Sequence, residues 1–178
     1  MKLVIDIDGV VANTPKKMFQ IYPQWDWSYN NFPEYIFNMF RDPEFYLSLE
    51  PIPSSLSFLL KWKGLIDFVF ASTRPIPPDI TQEWLEKHGY DSPIIYHVES
   101  MKEKYLLTAQ LEAIGLIDDA PQHFAPAPFI RFIYSWPYNS QYTTDVIQLF
   151  PDGKYQSIYR IHNLKDLEDP VSKYLQLI

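Results

Sequence analysis

Two pairs of acidic residues each follow a short apolar segment of the chain. The sequence Asp6-Ile-Asp8-Gly follows one such segment, and Asp118 and Asp119 end another. A carboxylate can take a phosphoryl group as a nucleophile and return it to water, which divides one difficult reaction into two easier steps. A second carboxylate nearby can protonate the leaving oxygen and later deprotonate the water. The first pair therefore predicts phosphoryl transfer, with Asp6 as nucleophile and Asp8 as general acid/base.

Hydroxyl and guanidinium groups follow a third apolar segment. Ser72 and Thr73 come at its end, and Arg74 is the next residue. A hydroxyl at this position could hold the phosphoryl oxygens, where charge must be stabilised in the transition state. Arg74 could grip a substrate phosphate through two parallel hydrogen bonds, or it could pair with a surface acid. Both readings of Arg74 are open at the level of sequence.

A lysine is the expected cationic partner of the phosphoryl group. Lys104 precedes Asp118 and opens an apolar helical stretch, whereas Lys102 lies two positions earlier. On a helix these two side chains would point about 200° apart, so both cannot face the same site. The residues alone leave Lys104 and Lys102 both open as the phosphate-binding lysine.

The acids also predict a metal site. Asp6, Asp8 and Asp118 would repel one another strongly unless a cation lay among them. Hard oxygen ligands that leave room for some water suit Mg²⁺. The sequence therefore predicts a Mg²⁺ ion as cofactor.

The segments that carry these residues alternate between strand and helix patterns. Apolar, β-branched runs predict strands, and amphipathic stretches bounded by Pro, Ser and Gly predict helices. Such alternation predicts an α/β fold, a Rossmann-like parallel sheet of about five strands with helices on both faces. Ligands bind beyond the carboxyl ends of the strands in such sheets. The residues expected at these strand ends are Asp6, Asp8, Ser72, Asp118 and Asp119. The predicted strands are 3–7, 68–72, 93–98, 114–117 and 129–134, and the predicted helices are 53–63, 77–88 and 101–110.

Residues 15–53 differ from the rest of the chain. They are rich in aromatic side chains and interrupted by prolines, which indicates a small helical cap inserted after the first strand. The catalytic core would then comprise residues 1–14 and 54–178. Towards the end of the chain, a Pro151-Asp152-Gly153 turn predicts a hairpin that includes Ile158-Tyr159, and a terminal helix is expected at about 169–176. The aromatic residues of the insertion are Trp25, Trp27, Tyr29, Phe32, Tyr35, Phe37, Phe40, Phe45 and Tyr46.

Composition excludes several classes of function. The chain has 178 residues, no cysteine and a formal net charge of −7. Thiol catalysis and thiolate metal sites are therefore excluded, and the acidic balance argues against a long nucleic acid as partner. No apolar run approaches the roughly 20 residues that a membrane-spanning helix needs. We expect a cytoplasmic protein that acts on a small molecule and does not contact a membrane.

The order of these motifs resembles that of the haloacid-dehalogenase superfamily. Its first motif is DxDG, its second a Ser or Thr at a strand end, its third a lysine and its fourth a pair of acids. The resemblance implies that Asp6 is the nucleophile, that Asp8 is the acid/base and contributes its backbone carbonyl to the metal, and that Ser72 binds phosphate. It further implies that Lys104 rather than Lys102 is the phosphate-binding lysine, because the spacing of Lys104 from Asp118 is common in the family. Asp118 is implied to be a metal ligand, and Asp119 to lie behind the metal ligands or to contact the metal through water.

Further segments resemble the 5′(3′)-deoxyribonucleotidase branch of that superfamily. They are Phe45-Tyr-Leu-Ser-Leu-Glu-Pro-Ile-Pro53, Asp67-Phe-Val-Phe-Ala-Ser-Thr73, Pro137-Tyr-Asn139 and Arg160-Ile-His-Asn-Leu164. The insertion does not align residue by residue. This likeness implies a phosphomonoesterase whose substrate is a small phosphorylated metabolite, best a (deoxy)nucleoside monophosphate.

Two alternatives share part of this chemistry. A phosphatase of the same type could act on sugar phosphates or on the 3′-phosphate end of an oligonucleotide. A non-hydrolytic phosphoacceptor signalling module also uses Asp, Ser or Thr, and Lys around Mg²⁺. Such modules have their acid pair early and the phosphorylated Asp on a later strand, whereas here the Asp-x-Asp sequence lies on the first strand. The oligomeric state is left open.

Overall fold

The computed structural model describes most of the chain. It covers residues 1–25, 32–120, 129–140 and 158–169, together with residues 148–149 and 155–156. Trp27 and Tyr29 of the insertion, the turn at Pro151-Asp152-Gly153 and the predicted terminal helix beyond Asp169 lie outside the described residues.

Six parallel strands form the central sheet. Their order is β3-β2-β1-β4-β5-β8, and each neighbouring pair is parallel. The predicted parallel α/β fold is therefore confirmed. The strands are β1 (Lys2–Ile5), β2 (Asp67–Ser72), β3 (Ile94–His97), β4 (Gly115–Asp118), β5 (Ile130–Tyr134) and β8 (Ile158–Ile161), while β6 (Gln148–Leu149) and β7 (Tyr155–Gln156) pair antiparallel outside this sheet.

Apolar clusters cover both faces of the sheet. In β1, Leu3 and Ile5 belong to the larger cluster, whereas Val4 between them belongs to a smaller cluster on the opposite face. This split follows from the strand geometry, because successive side chains point to opposite faces. Helices α4 (Pro53–Trp62) and α5 (Pro78–Lys87) pack on the first face, and α6 (Met101–Gln110) packs on the second. Helices on both faces were predicted and are confirmed.

The insertion between β1 and α4 is helical, as its prolines and aromatic residues predict. It contains α1 (Thr14–Ile21), α2 (Glu34–Met39) and α3 (Pro43–Leu47). Its buried rings, including Trp25 and Phe45, belong to the same apolar cluster as the strand residues of the core. The indole of Trp84 in α5 donates a hydrogen bond to the carbonyl of Leu49 at 2.9 Å, which ties the insertion to the core.

The sixth strand corrects a sequence assignment. The sequence predicts a hairpin with arms at Val146-Ile147 and Ile158-Tyr159. An antiparallel pair is present there, but its arms are β6 and β7, whereas Ile158–Ile161 pairs in parallel with β5 at the edge of the main sheet. The physical reason is that a short apolar run predicts a strand without identifying its partner or its direction.

The sheet has its topological switch between β1 and β4. These strands are neighbours, but β1 leads to β2 on one side and β4 leads to β5 on the other. A crevice opens at the carboxyl ends of strands where the order diverges in this way. Within the described part of the chain, no helix combines the length and hydropathy needed to cross a membrane.

Candidate active site

Asp6 and Asp118 lie side by side at the switch point. The register aligns Ile5 with Ile117, and the amide of Asp6 donates to the carbonyl of Ile117 at 2.9 Å. Both carboxyl groups therefore extend from the same edge of the sheet on adjacent strands. Both residues are buried, with side-chain exposures of 11% and 9% respectively.

Lys104 joins these two carboxylates. Its Nζ lies 2.9 Å from Asp6 Oδ1 and 2.7 Å from Asp118 Oδ2, and its side chain is only 1% exposed. Burial acts to lower the pKa of Lys104, but the two carboxylates outweigh burial and raise the pKa above its ordinary value. Lys102, on the same helix, is exposed to solvent. The structure thus brings Lys104 rather than Lys102 to the acids.

Asp119 completes a cluster of three acids. Among the described residues, Asp6, Asp118 and Asp119 each offer a ligand oxygen within 4.8 Å of the other two. Burial raises the pKa of Asp6 to about 7, with Lys104 opposing the rise and Asp118 adding to it. Burial, followed by repulsion from Asp6 and Asp118, also raises the pKa of Asp119 well above its ordinary value.

The charge of this cluster fits a divalent cation. Three carboxylates face one lysine, so two negative charges remain when all the groups are ionised. The raised pKa values express the same imbalance, because burial without enough positive charge disfavours the ionised form. Buried carboxylate oxygens in this number suit Mg²⁺.

The chain turns a corner after β5, at residues 135–140, and this corner holds Asp119 in place. The buried amide of Asn139 donates to the backbone carbonyls of Asp119 and Tyr134, at 2.8 and 2.7 Å. The hydroxyl of Tyr138 donates to the Asp119 carboxylate. The guanidinium of Arg160 in turn donates to the side-chain and backbone oxygens of Asn139, both at 3.0 Å. The Pro-Tyr-Asn segment therefore shapes the wall of the site.

The turn after β1 carries Asp8 and requires glycine next to it. Gly9 has φ +73°, and a Cβ there would collide with the Asp119 carboxylate and lie 3.1 Å from the Tyr138 hydroxyl. The indole of Trp136 donates to the Gly9 carbonyl at 2.6 Å. The close approach of this turn to the corner after β5 is possible because glycine has no side chain.

Asp8 is bound by Arg74 and Thr14. Arg74 Nε lies 2.8 Å from Oδ2 and Nη2 lies 2.9 Å from Oδ1, while the Thr14 hydroxyl donates to Oδ1 at 2.5 Å. Burial acts to raise the pKa of Asp8, but the charge and hydrogen bonds of Arg74 outweigh it, so the pKa lies below its ordinary value. Arg74 does pair with an acid, but its partner is Asp8 at the site rather than a surface acid, and this pair engages Nε and Nη2 of the guanidinium.

The two hydroxyls after β2 differ in position. Ser72 is fully buried, and its Oγ accepts a hydrogen bond from the Arg74 amide at 3.2 Å. Thr73 is exposed and lines a cavity of about 280 Å³ together with Asp6, Asp8 and Asp119. The structure therefore presents Thr73 to the cavity, whereas Ser72 supports the backbone behind it.

A second cavity adjoins the first on the side of the insertion. It has a volume of about 390 Å³ and shares Asp8, Phe40, Tyr46 and Thr73 with the first. Phe37, which is half exposed, contributes another part of its wall. The acids thus lie beside a space lined by aromatic rings.

Sequence patterns did not single out three residues that contact the acids or Arg74. Thr14 binds Asp8, Tyr138 binds Asp119, and the ring of Tyr46 lies against the Arg74 guanidinium. Tyr138 belongs to the Pro-Tyr-Asn segment, and that motif was the available signal for it. Tyr46 likewise lies in the segment Phe45–Pro53 that resembles the nucleotidase branch. Thr14 carries no comparable pattern, because its contact depends on how the insertion folds back.

The parallel sheet, with the acids at its switch point, has a haloacid dehalogenase-like fold. The structure is similar to the crystal structure of a haloacid dehalogenase-like family hydrolase from Xanthomonas campestris, with a TM-score of 0.55. The two share 8% sequence identity, over 97% of this chain and 98% of that one, so the likeness concerns the fold.

A family model gives the narrower assignment. The model described as 5′ nucleotidase, deoxy (Pyrimidine), cytosolic type C protein matches residues 1–160, and the chain belongs to this family. The chain is therefore an enzyme of the phosphoric monoester hydrolase class and of nucleotidase type, which confirms the resemblance identified from its motifs. A search of curated proteins gave no match.

Proposed function

We propose that the protein is a Mg²⁺-dependent phosphomonoesterase that hydrolyses a (deoxy)nucleoside monophosphate through a phosphoaspartate at Asp6. The observation that carries this proposal is the buried cluster of Asp6, Asp118 and Asp119 around Lys104, at the wall of an open cavity. The substrate class rests on the family's description as a 5′ nucleotidase. The word cytosolic in that description supports a cytoplasmic location.

The proposed reaction has two balanced steps. The first step starts with Asp8 protonated. A carboxylate oxygen of Asp6 attacks phosphorus, the bond from phosphorus to the leaving oxygen breaks, and that oxygen takes the proton of Asp8, which leaves Asp8 as the carboxylate that Arg74 stabilises. Asp8, now ionised, takes a proton from a water molecule whose oxygen attacks the same phosphorus. The bond from phosphorus to Asp6 then breaks, which releases inorganic phosphate and restores both carboxyl groups.

We assign the metal to the acids that lack sufficient positive charge. Asp6, Asp118 and the backbone carbonyl of Asp8 would hold Mg²⁺, with Asp119 acting directly or through water. When bound, the ion neutralises the carboxylates and the phosphoryl oxygens, whose mutual repulsion opposes the attack. Asp8 needs no such compensation, because its carboxylate is paired with Arg74.

The phosphoryl oxygens need donors that the cavity already offers. Lys104 contacts the proposed nucleophile, and Thr73 faces the same space. We propose that these two residues bind the phosphoryl group and that Ser72 supports the loop behind Thr73. A point charge and a hydroxyl fixed beside the reacting atoms stabilise charge that develops in the transition state.

We propose that residues 15–53 act as a cap over the leaving group, on a core of residues 1–14 and 54–178. The support is the second cavity, which continues from the acids and is walled by Phe37 and Phe40 of the insertion. Aromatic faces hold a nucleobase by stacking without hydrogen-bond readout.

A panel of phosphomonoesters tests the proposal. Purified protein would be assayed for phosphate release from nucleoside 5′- and 3′-monophosphates, sugar phosphates and a 3′-phosphorylated oligonucleotide, with Mg²⁺ and with EDTA. We expect turnover of nucleoside monophosphates that EDTA abolishes and added Mg²⁺ restores. Asp6→Asn serves as the control, because it keeps the size of the side chain and removes its nucleophilic charge.

Each other outcome of the panel has a definite meaning. Preferred turnover of sugar phosphates or of the oligonucleotide would replace the nucleotide proposal with one of those substrates. A stable phosphoprotein without turnover would favour a phosphoacceptor module. Absence of phosphate release from every ester in the presence of Mg²⁺ would overturn the proposed function.

A further inference from the structure

The carboxylate of Asp8 accepts three hydrogen bonds, although its side chain is partly exposed. Both of its carboxylate oxygens accept hydrogen bonds from Arg74, and Oδ1 accepts a further one from Thr14. A bidentate pair of this kind fixes the plane of the carboxylate as well as its position. Even so, the side chain of Asp8 remains 30% exposed, and it lines both cavities.

Arg74 is itself immobilised. Its side chain is 1% exposed, and its guanidinium carbon lies 4.6 Å from the ring centre of Tyr46 and 5.8 Å from that of Trp84. Nη1 lies 3.5 Å from the Thr81 hydroxyl, and the backbone amide donates to Ser72. Stacking between aromatic faces suits the planar guanidinium of arginine and not the ammonium of lysine.

These contacts separate Asp8 from the other acids. Among the described residues, the cluster that could hold a metal contains Asp6, Asp118 and Asp119 but not the carboxylate of Asp8. The Arg74 pair lies on the side of the second cavity, whose wall includes Asp8, Arg74 and Tyr46. Asp8 lines both cavities, so its carboxyl group borders the space we assign to the leaving group as well as the acid cluster.

We propose that Arg74 is a positioning residue: it holds the Asp8 carboxylate out of the metal cluster and aims it at the oxygen of the leaving group. This inference rests on the proposed function. It also gives the insertion a part in the reaction, because Tyr46 of α3 forms one face of the guanidinium's pocket. Arg74 acts through Asp8 and does not bind the phosphoryl group.

The dependence of kcat/KM on the leaving group of the substrate tests this role. A nucleoside monophosphate has a poor, alkoxide leaving group that needs a proton, whereas p-nitrophenyl phosphate has a good one that does not. Arg74→Lys keeps the positive charge and removes the planar fork. We expect this variant to lose ~100-fold or more in kcat/KM on the nucleotide and much less on p-nitrophenyl phosphate. Inhibition by inorganic phosphate should be nearly unchanged.

Two controls separate positioning from general damage. Arg131→Lys removes another buried arginine, on β5, and should leave the ratio of the two substrate activities unchanged. Asp8→Asn should itself be slow on the nucleotide. Adding Arg74→Lys to Asp8→Asn should then cause little further loss, because residues that act as one unit are not additive.

Three results would overturn the inference. Equal loss on both substrates would show a structural role, and full additivity with Asp8→Asn would show that Arg74 does not act through that acid. Weaker inhibition by inorganic phosphate, with KM raised on both substrates, would instead make Arg74 a phosphate ligand. Wild-type protein that is inactive on both esters would contradict the proposed function itself. The comparisons among variants test only the role of Arg74.

Discussion

Lys104 is the only charge partner that the structure gives to both Asp6 and Asp118 among the described residues, and its removal has a predictable cost. In Lys104→Met two buried carboxylates lose their ion pair, which typically destabilises a protein by about 3–5 kcal/mol. Mg²⁺ should recover part of this loss, because it binds the same carboxylates. Chemical denaturation with and without Mg²⁺ measures both effects.

Lys102→Met is the matched control on the same helix. Its side chain is exposed, so we expect a change within about 0.5 kcal/mol and little effect of Mg²⁺ on that change. If Lys102→Met were the more damaging substitution, the assignment of Lys104 to the site would be wrong.

Substitutions of the neighbouring residues Ser72 and Thr73 should distinguish phosphate binding from support of the loop. Thr73→Val keeps the shape of the side chain and removes the hydroxyl from the cavity wall. We expect kcat/KM to fall by roughly tenfold or more, the order of one lost charge-assisted hydrogen bond, with unchanged stability. Steady-state kinetics measures the first quantity and thermal unfolding the second.

Ser72→Ala should show the opposite pattern. Its Oγ accepts only a backbone hydrogen bond from Arg74 among the bonds described, so the expected loss is about 1 kcal/mol of stability and a smaller loss of activity. A larger loss of kcat/KM in Ser72→Ala than in Thr73→Val would reverse the assignment.

At the scale of elements, the turn after β1 and the corner after β5 meet at Gly9. In Gly9→Ala the backbone must keep a φ of +73° and the new Cβ meets the Asp119 carboxylate. We expect destabilisation by more than about 1–2 kcal/mol, the cost of the left-handed conformation alone, together with loss of activity. Denaturation and phosphate release would be measured on the same samples.

Gly64→Ala is the control that measures the conformational cost of alanine at a positive φ. Gly64 has φ +89° and nothing within 4 Å of an added Cβ. It should therefore show the conformational cost without the collision and keep its activity. Equal losses of stability and activity in the two variants would mean that the close approach of Gly9 to Asp119 contributes to neither.

Several elements were predictable from sequence because local patterns specify them. The alternation of apolar strands with capped helices predicted the parallel sheet, and strand ends predicted that Asp6 and Asp118 would meet at one edge. The partner of Ile158–Ile161 was not predictable, since pairing depends on residues far away in sequence. The sequence left both Ser72 and Thr73 as phosphate-binding candidates for a related reason: successive side chains at a strand end point in opposite directions, so a shift of one residue exchanges them.

The pairing of Asp8 with Arg74 was equally hidden from sequence. The two residues are 66 positions apart and come from different loops, and the rings that hold Arg74 come from the insertion and from α5. A motif can identify residues that are able to take part in a reaction. It cannot show which of them neutralise each other, because that depends on tertiary packing.

For the molecule as a whole, the excess negative charge of the acid cluster predicts stabilisation by Mg²⁺. A ligand that binds only the folded state at 100 times its Kd adds about 2.7 kcal/mol to the free energy of unfolding. We expect thermal unfolding to shift upwards with Mg²⁺ in wild type and much less in Asp118→Asn. NaCl at matched ionic strength is the control, and an equal shift with NaCl would exclude a specific site.

The most direct test of the account is to trap the phosphoryl group on the protein. Asp8→Asn should still accept phosphate from p-nitrophenyl phosphate, whose leaving group needs no proton, but it should release it slowly because the water lacks its base. After acid quench of a reaction with ³²P-labelled ester and Mg²⁺, peptide mapping should find the label on Asp6, and Asp6→Asn should carry none. A label on any other residue, or no labelled protein while wild type turns over, would contradict nucleophilic catalysis by Asp6.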